Sequence, residues 1–508
     1  MNALAIDFGS TACKASVIAL DGSVLGSGLT RVPTTFGEGG LAEQDPDAIW
    51  SSTLSACRQA LVASGTAATD AVRSICVTSQ WSSIVPVDAD GLPVAPLHMW
   101  FDRRGEAFTA ALTSRDDGGL ITARWAEIHG FGPSTSLSHI LWFQRQADIH
   151  RRTVAYLEPM DYLNARFTGR IAATANSAMP LALTDNRVLG ATSWSDELIK
   201  RADVDSSRLP ELTRSLMVLS TIRADVADDL GVRRDVEVVT GSNDSIAAAF
   251  GSGALGPGQA TIMMGTTGVL TVHHPVRHVD SAKFIVTMPS SLEDRYYVVA
   301  EAGLGGKLFE AALSETIGCE LADGPPDAIF EQALQLAGKS PPGSRGVVFL
   351  PWVFGAMAPA PDPRHRGAFL GISLSTSRDD LSRALLEGVS MQMRWLADEV
   401  EAALGLPFDK IRFVGGAAVS DVWATVLADV VGRPIEQLDN PRHANARGAG
   451  LMAFVSTGQL SIDDLSALVP VHARYEPDPS NRSLWDDRLG VFRDLHTALA
   501  EPVSRLHS

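Results

Sequence analysis

The strongest restriction on the fold comes from a pattern that occurs once in each half of the chain. Residues 3–18 read A-L-A-I-D-F-G-S-T-A-C-K-A-S-V-I, and residues 260–273 read A-T-I-M-M-G-T-T-G-V-L-T-V-H. In both segments a turn of glycine and hydroxyl residues joins two apolar runs, which is typical of a β-hairpin. The recurrence predicts a duplicated fold with a cleft between two similar halves.

Between the two hairpins, and after the second, strand and helix patterns alternate. Asp21-Gly22 is a hairpin dipeptide, so a third strand is expected after the first pair. The apolar patterns predict strands at 74–79 and 236–241, a strand that ends in the segment 411–418, and helices over 46–64 and 420–432. This alternation favours an α/β fold.

Length and composition narrow the functional classes. With 508 residues the chain can form two or three domains with full-sized cores. Its net charge of −17 argues against a nucleic-acid partner, which needs a basic surface. The charge does not argue against ATP, because phosphate sites are built locally from amides, one or two cations and a metal.

The four cysteines and the N-terminal segment bear on the compartment. Cys13, Cys57, Cys76 and Cys319 form no C-x-x-C pair, so neither a zinc site nor a redox motif is predicted. Residues 1–7 lack the basic region of a signal peptide. We therefore expect a cytoplasmic protein that does not associate with a membrane.

The tip of the first hairpin has the groups of a phosphate site. Gly9, Ser10 and Thr11 offer closely spaced amides and hydroxyls, and Lys14 adds a positive charge. Asp7 ends the first strand, where a carboxylate can hold Mg²⁺, through water because this ion keeps much of its hydration shell. The alternative is a plain hairpin, in which serine and threonine only form the turn.

The tip of the second hairpin offers the same equipment from the other half of the chain. Its residues are Gly265, Thr266, Thr267 and Gly268. Two facing tips of this kind would clamp one polyphosphate between them. The alternative of a plain hairpin is less favoured here, because the same type of tip recurs in both halves of the duplicated chain.

Two further segments carry candidate chemistry. In G-S-N-D-S-I-A-A-A-F-G (241–251), Asp244 ends a strand and can accept a proton from a substrate hydroxyl; the alternative is that it caps the following helix. Gly415 and Gly416 end another strand and let a flat base lie against the backbone, unless they form an ordinary turn. The G-x-G-x-x-G spacing at 251–256 follows a helical pattern, so no dinucleotide fold is predicted.

Motifs along nearly the whole chain resemble the FGGY carbohydrate kinases, and within them the xylulokinase-like members. The segments that carry the resemblance are I-D-F-G-S-T-A-C-K (6–14), L-A-E-Q-D-P-D-A-I-W (41–50), W-F-D-R-R (100–104), E-P-M-D-Y-L-N-A-R-F-T-G (158–169), R-G-A-F-L-G-I-S-L (366–374) and G-G-A-A-V-S-D-V-W (415–423). The resemblance implies two actin-like (ribonuclease H-like) α/β ATPase domains. These would be residues 1–244, with the sugar site and first phosphate motif, and 245–508, with the nucleotide site.

The resemblance also implies roles for individual residues, with ATP and Mg²⁺ as cofactors. Asp244 would be the general base and Asp7 would serve the metal. Thr11, Lys14 and Thr266 would contact phosphates. The residues along the nucleotide would be Gly303, Lys307, Gly415, Gly416 and Ser420.

The sugar side departs from the xylulokinase pattern. The family's G-Q-M-H-G segment is replaced by Ser79–Ser83, His139 stands where a lysine is expected, and Ser245 replaces the usual asparagine. The predicted substrate-binding residues are Gln80, Trp81, Ser82, Asp102, Asp244 and Ser245. Trp81 would stack on a sugar, shorten the pocket, or simply pack in its wall.

These departures leave the substrate open among small polyhydroxy compounds, because exchanged polar groups change which hydroxyls a site satisfies. A ketopentose such as xylulose, or a related ketose, is the leading expectation. The alternatives are a polyol (tetritol, pentitol or glycerol) or a sugar acid, and more distantly an actin-like ATPase without kinase activity. A homodimer is compatible with the resemblance.

Overall fold

The computed structural model describes residues 1–114, 120–133, 135–265, 267–280, 282–306 and 326–506. The described strands are β1 (Asn2–Phe8), β2 (Ala12–Ala19), β3 (Val24–Arg31), β4 (Thr35–Phe36), β5 (Ala42–Gln44), β6 (Val72–Ser79), β7 (Val85–Val87), β8 (Leu97–His98), β9 (Ala155–Leu157), β10 (Ala172–Thr174), β11 (Glu211–Thr213), β12 (Val218–Thr221), β13 (Glu237–Asn243), β14 (Gln259–Met264), β15 (Thr267–His274), β16 (Ile285–Pro289), β17 (Tyr296–Leu304), β18 (Val348–Leu350), β19 (Ala368–Leu370), β20 (Lys410–Val414), β21 (Ile435–Leu438) and β22 (Val471–Tyr475).

The described α-helices are spread along the whole chain. They are α1 (Pro46–Ser64), α2 (Thr66–Asp70), α3 (Glu106–Ser114), α4 (Leu120–Ile128), α5 (Thr135–Gln144), α6 (Ala147–Arg152), α7 (Pro159–Thr168), α8 (Asp196–Ala202), α9 (Ala224–Leu230), α10 (Asp244–Ser252), α11 (Pro326–Lys339), α12 (Arg378–Leu404), α13 (Asp421–Val431), α14 (Ala444–Ser456), α15 (Leu465–Leu468) and α16 (Arg482–Leu506). None of these helices combines the length and the apolar character needed to cross a membrane.

The chain forms two compact units, and both are discontinuous in sequence. The first comprises Met1–Gly253, Thr287–Tyr297 and His443–Val469, and the second comprises Ala254–Val286, Val298–Arg442 and Pro470–Ser508. The predicted boundary, by contrast, is a single cut between residues 244 and 245. Helix α14 explains part of the difference, because it comes late in the chain and packs against β1 and β6 of the first unit.

A mixed sheet forms the centre of the first unit, with strand order β12-β13-β6-β1-β2-β3. Strands β1, β6 and β13 run parallel to one another, so their carboxyl ends lie at the same edge. Strands β2 and β3 add to β1 as antiparallel hairpin partners. The predicted hairpins and the strands at 74–79 and 236–241 are confirmed.

The second unit contains a sheet with the strand order β16-β17-β15-β14-β20-β21-β22. Strands β14, β20 and β21 are parallel, β15 pairs with β14 as a hairpin, and β22 is an antiparallel edge strand. In both sheets a hairpin is followed by two parallel neighbours and an antiparallel edge strand. This common order confirms the predicted duplicated α/β fold.

The helix predicted over 46–64 has the expected bounds because its ends carry strong local signals. Asp45 accepts a hydrogen bond from the Asp47 backbone N–H at 3.0 Å, and Pro46 occupies the first turn, where no N–H is needed. Gly65 ends the helix with a φ of 82°, a region that favours glycine.

Helices α10 and α14 of the first unit approach each other through glycines. A Cβ added to Gly251 would lie 1.8 Å from the Ala444 carbonyl oxygen, and one added to Gly448 would lie 1.7 Å from the Ala247 oxygen. Any side chain would separate the two backbones. Gly251, which opens the G-x-G-x-x-G spacing, therefore serves helix packing.

Candidate active site

Three strands of the first unit end in register. The last residues of β1, β6 and β13 are Phe8, Ser79 and Asn243, and the ladder pairs Ser79 with both of the others. The residues that follow them at this edge are Gly9, Gln80 and Asp244. Since the carboxyl edge of a parallel sheet is where α/β proteins place their ligands, this edge is the candidate active site.

The first hairpin tip lies at this edge. The Gly9 N–H donates to the Ala12 carbonyl at 3.0 Å, which closes the turn. The Gln44 side-chain amide donates to the Ser10 carbonyl at 2.8 Å and holds the tip from outside the hairpin. Thr11 is exposed at the end of the turn. The tip is therefore fixed and open on one side.

Asp7 and Lys14 lie directly opposite each other on β1 and β2. Cross-strand partners project to the same face, so the carboxylate and the ammonium group share one surface. Burial raises the pKa of Asp7, whereas the charge of Lys14 and the side chain of Asn445 on α14 lower it. The effect of burial is the largest, so the pKa of Asp7 is raised overall and the hairpin and α14 only oppose that rise.

Asp244 is the first residue of α10, but it is not the helix cap. Asn243 is the cap: its Oδ1 atom accepts hydrogen bonds from the Ile246 N–H at 2.9 Å and from the Ser245 hydroxyl at 2.8 Å. The sequence left the cap open as an alternative role for Asp244, and the structure gives that role to its neighbour. The Asp244 carboxylate instead accepts hydrogen bonds from the backbone of Ser245 and from its own backbone N–H.

The electrostatic environment of Asp244 suits proton transfer near neutral pH. Burial raises the pKa of Asp244 to about 7, and the negative charge of Asp7 adds to this shift. A carboxylate with a pKa near the working pH can accept a proton in the transition state and release it afterwards. The strand edge therefore presents a base of suitable strength.

Residues 80–83 form a short loop after β6, named here the 80–83 loop. The Gln80 amide nitrogen lies 3.4 Å from the side-chain oxygen of Gln44, which connects the loop to the hairpin tip. The Trp81 indole N–H donates to the Ser177 carbonyl at 3.2 Å, and its ring packs partly against the core. Ser82 has a φ of 60°. Trp81 is thus held between the Ser177 carbonyl and the core of the first unit.

Asp102 is buried, and both of its carboxylate oxygens are occupied. They accept hydrogen bonds from the Arg104 guanidinium, the closest at 2.7 Å, and from the Ala42 backbone N–H at 2.8 Å. Arg104 also donates to Glu43 at 2.7 Å. Direct contact between Asp102 and a substrate stays a prediction, since its described contacts hold Arg104 in place.

His139 lies buried next to His98, with ring centroids 5.4 Å apart. Burial lowers the pKa of His139 to about 4, so the imidazole is neutral at pH 7 and does not replace the charge of a lysine. His98, Asp102 and His139 form the only cluster of three possible metal ligands in the described part of the chain. A cation there would lie beside the Arg104 guanidinium, so this cluster does not suit a metal.

In the second unit, three glycine segments meet at the end of β14. The Gly265 N–H donates to the Thr267 carbonyl at 3.0 Å, and the Gly306 N–H donates to the Gly265 carbonyl at 2.8 Å. Gly415 has a φ of 98°, and a Cβ there would lie 2.6 Å from the Met264 carbonyl oxygen. Gly415 is therefore required for the close approach of its backbone to the end of β14.

The other predicted residues of the second unit have simple local roles or lie outside the described ranges. Ser420 caps α13, where its hydroxyl accepts from the Trp423 N–H at 3.1 Å. Gly303 has a φ of 96°, and nothing lies within 4 Å of a Cβ placed on Gly416. Two predicted residues lie outside the described ranges: Thr266, expected to contact a phosphate, and Lys307, expected to lie along the nucleotide.

Three residues at the strand edge were not among the predicted site residues. Gln44 touches both the hairpin tip and the 80–83 loop, Asn243 caps α10, and Asn445 faces Asp7. Gln44 lies within the quoted E-Q-D-P segment, and an asparagine at a strand-to-helix junction is a cap signal. No sequence signal connects Asn445 to Asp7, because 438 positions separate them.

Comparisons with known proteins identify relatives along the full chain. The model of the FGGY family of carbohydrate kinases matches with its N-terminal domain over residues 2–251 and with its C-terminal domain over 260–457. A xylulose kinase of Lactococcus lactis is 25% identical over 508 residues, covering 98% of this chain and 97% of that protein. A glycerol kinase of Thermus brockianus is 29% identical over 488 residues, covering 93% and 94%. The fold matches a ligand-bound xylulose kinase from Lactobacillus acidophilus with a TM-score of 0.86 and 19% identity, covering 99% of both chains.

Proposed function

The chain belongs to the FGGY family of carbohydrate kinases and is an ATP-dependent carbohydrate kinase, and we propose that its substrate is a ketopentose such as xylulose or a related ketose. One observation carries the choice of substrate. Xylulose kinases of several organisms, among them Lactococcus lactis, Bacillus subtilis and Escherichia coli, each match 98% of the chain. The more distant alternative, an ATPase without kinase activity, does not fit the family.

A second candidate substrate is a polyol or a sugar acid. The glycerol kinase of Thermus brockianus has the higher identity, 29%, and a gluconokinase of Bacillus subtilis is 21% identical over 509 residues. Trp81 and Ser82 replace the Met-His pair of the xylulokinase pattern, and the bulkier Trp81 side chain would make the sugar site narrower. A narrower site favours a smaller polyol over a ketopentose.

In the proposed reaction Asp244 is the general base. As the hydroxyl oxygen of the sugar bonds to the γ-phosphorus of ATP, the hydroxyl proton passes to a carboxylate oxygen of Asp244. The bond from that phosphorus to the β–γ bridging oxygen breaks, and the products are a sugar phosphate and ADP. A pKa near 7 lets Asp244 begin each turnover as a carboxylate.

The hairpin tip and its neighbours are proposed to hold the phosphates and the metal. Gly9, Ser10 and Thr11 would bind phosphate oxygens through amides and hydroxyls, and Lys14 would balance their charge. Asp7 would hold Mg²⁺ through water, and the donor set fits because Mg²⁺ in such sites needs only one or two carboxylates besides water and phosphate oxygens. When bound, Mg²⁺ supplies charge neutralisation at the phosphates.

The nucleotide contacts of the second unit also stay a proposal. Gly265, Thr267 and the glycines at 303, 415 and 416 would provide backbone amides and open space for the nucleotide. Thr266, Lys307 and Ser420 would complete this surface. In the same way we infer that residues 1–244 carry the sugar site and residues 245–508 the nucleotide site.

The test of the proposed function is ADP release with MgATP across a panel of ketopentoses, ketohexoses, pentitols, tetritols, glycerol and sugar acids. The highest kcat/KM on a ketopentose supports the leading substrate, and the highest value on glycerol or a sugar acid supports the second candidate. ADP release that is the same with every compound would contradict the substrate proposal.

Two further properties are proposed on the basis of the family alone. A cytoplasmic location is tested by fractionating cells that produce the protein. A homodimer is tested by light scattering after size-exclusion chromatography, where a mass of 54.0 kDa would indicate a monomer and contradict the proposal.

A further inference from the structure

The 80–83 loop contains a backbone conformation that its own sequence does not favour. Ser82 has a φ of 60°, in the left-handed region that disfavours residues with a Cβ atom. Such a conformation persists only where surrounding contacts fix it, and these positions cluster at binding sites. The contacts that hold the loop therefore decide how Trp81 and Ser82 are presented.

Each end of the loop is anchored to the first unit. The Gln80 N–H donates to the Phe8 carbonyl at 2.7 Å, next to the hairpin tip. At the other end, the Ser83 N–H donates to the Oε2 atom of Glu158 at 3.1 Å. Glu158 therefore binds the loop at the residue that directly follows Ser82. It lies 75 positions after Ser83 in the chain.

The position of Glu158 at the start of α7 does not explain the hydrogen bonds that its side chain makes. Glu158 is the N-cap residue of α7, yet its carboxylate makes no capping hydrogen bond there. Instead Oε1 accepts from the Ser136 hydroxyl of α5 at 2.9 Å, while Oε2 accepts from Ser83. The carboxylate therefore joins α5, α7 and the 80–83 loop.

Keeping this carboxylate in the core is unfavourable by itself. Glu158 is 1% exposed, and burial raises its pKa well above the usual range. The charged side chain that faces it from α7 is Asp161, which adds to the rise. An acid held in such an environment needs a role that an apolar residue of the same size would not fill.

We propose that Glu158 is a positioning residue that sets sugar specificity: it fixes the backbone of the 80–83 loop, so that Trp81 and Ser82 present one defined surface to the substrate. Glu158 itself does not touch the sugar. The inference rests on the proposed function, because it takes the 80–83 loop as part of the sugar site.

Two substitutions at residue 158 separate hydrogen bonding from packing. Glu158→Gln keeps a carbonyl oxygen that can accept from Ser83, whereas Glu158→Leu keeps the volume and removes both acceptors. In Glu158→Leu the buried Ser83 N–H loses its acceptor, which makes the present conformation of the loop less favourable in free energy. We therefore expect KM for the sugar to rise about tenfold in this variant. In Glu158→Gln it should rise less than about threefold, and KM for ATP should change less than about twofold in both variants.

Hydrogen exchange gives a readout that does not depend on activity. Amides of residues 80–84 should exchange about tenfold faster in Glu158→Leu than in Glu158→Gln, since the anchor at Ser83 is lost only in the leucine variant. A purely structural role would lower Tm and leave KM for the sugar the same in both variants. That result, or equal exchange at 80–84, would overturn the proposal.

Ser136→Ala covers the case in which the leucine variant does not fold. It keeps the carboxylate but removes its hydroxyl partner, so we expect a smaller increase in KM for the sugar, about threefold, with faster exchange at 80–84. No change in either quantity would overturn the proposal. Wild-type protein without sugar-dependent ADP release would contradict the proposed function, while the exchange data would still decide whether Glu158 fixes the loop.

Discussion

Replacing Asp244 with asparagine separates the chemistry of the site from its stability. Asparagine has nearly the same size and shape but cannot accept the proton of the sugar hydroxyl. General bases of this kind contribute about 10²–10⁴-fold to rate, so we expect kcat to fall by about that factor. KM for ATP should stay nearly unchanged, because the phosphate-binding residues are not altered.

The structure also predicts the sign of the effect on stability. The pKa of Asp244 is raised in the folded protein from 3.8 to about 7, so folding takes up a proton between these values. The contribution of this carboxylate to folding therefore becomes less favourable as pH rises from about 4 to about 7, and the loss persists above pH 7. Asparagine removes the loss, and Tm of the variant at pH 8 should equal or exceed that of the wild type.

Asn243→Ala is the matched control, because it changes the adjacent residue and removes the helix cap. Loss of an asparagine cap costs about 1 kcal/mol. In a unit of this size we expect Tm to fall by about 2–4 °C, with much of kcat retained. The assay is initial-rate ADP release at saturating MgATP and sugar, together with thermal unfolding followed by circular dichroism.

Two outcomes would refute this reasoning. An Asp244→Asn variant that keeps kcat within about tenfold of the wild type would exclude Asp244 as the base. An Asp244→Asn variant that loses as much Tm as Asn243→Ala would show that the carboxylate supports α10, contrary to the capping geometry.

Three other predictions follow from the first unit. With an Asp244 pKa of about 7, raised by burial and by Asp7, kcat/KM for the sugar should rise about tenfold from pH 6 to pH 8; a flat profile of ADP release would contradict this. Lys14→Met removes the charge that we propose faces the phosphates, so KM for MgATP should rise at least about tenfold with little change in KM for the sugar. Equal changes in the two constants would argue against a phosphate contact. Gly251→Ala places a Cβ 1.8 Å from a carbonyl oxygen of α14, so the free energy of unfolding in urea should fall by about 1–3 kcal/mol. In the control Gly253→Ala, at a helix end with φ 68°, it should fall by about 1 kcal/mol. A larger loss in the control would contradict the close helix contact.

The sequence predicted those elements whose signals are local. Helix α1 begins and ends where expected because its end signals are local. Asp45 caps the first turn, Pro46 occupies it, and Gly65 ends the helix, each next to the backbone groups concerned. Both hairpins, β1–β2 and β14–β15, follow from short turns between apolar runs. The duplicated fold follows from the same pattern, since each hairpin belongs to a sheet with an equivalent strand order.

The candidate site was predicted only in part from the sequence. Asp7 lies near the end of β1, and Gln80 and Asp244 directly follow β6 and β13; the register of the three strands brings these residues to one edge. The role of Asp244 was left open between general base and helix cap, because capping depends on side-chain geometry at a single turn. The structure assigns the cap to Asn243.

What the sequence determined alone is the two hairpins, several of the strands and helices, the duplication and the types of residue at the strand ends, since these depend on neighbours along the chain. Only the tertiary structure decided which distant residues support them. Gln44 reaches the hairpin tip across 34 positions, and Glu158 reaches Ser83 across 75. Contacts of this kind depend on how strands and helices pack, and no local pattern in either segment encodes its partner.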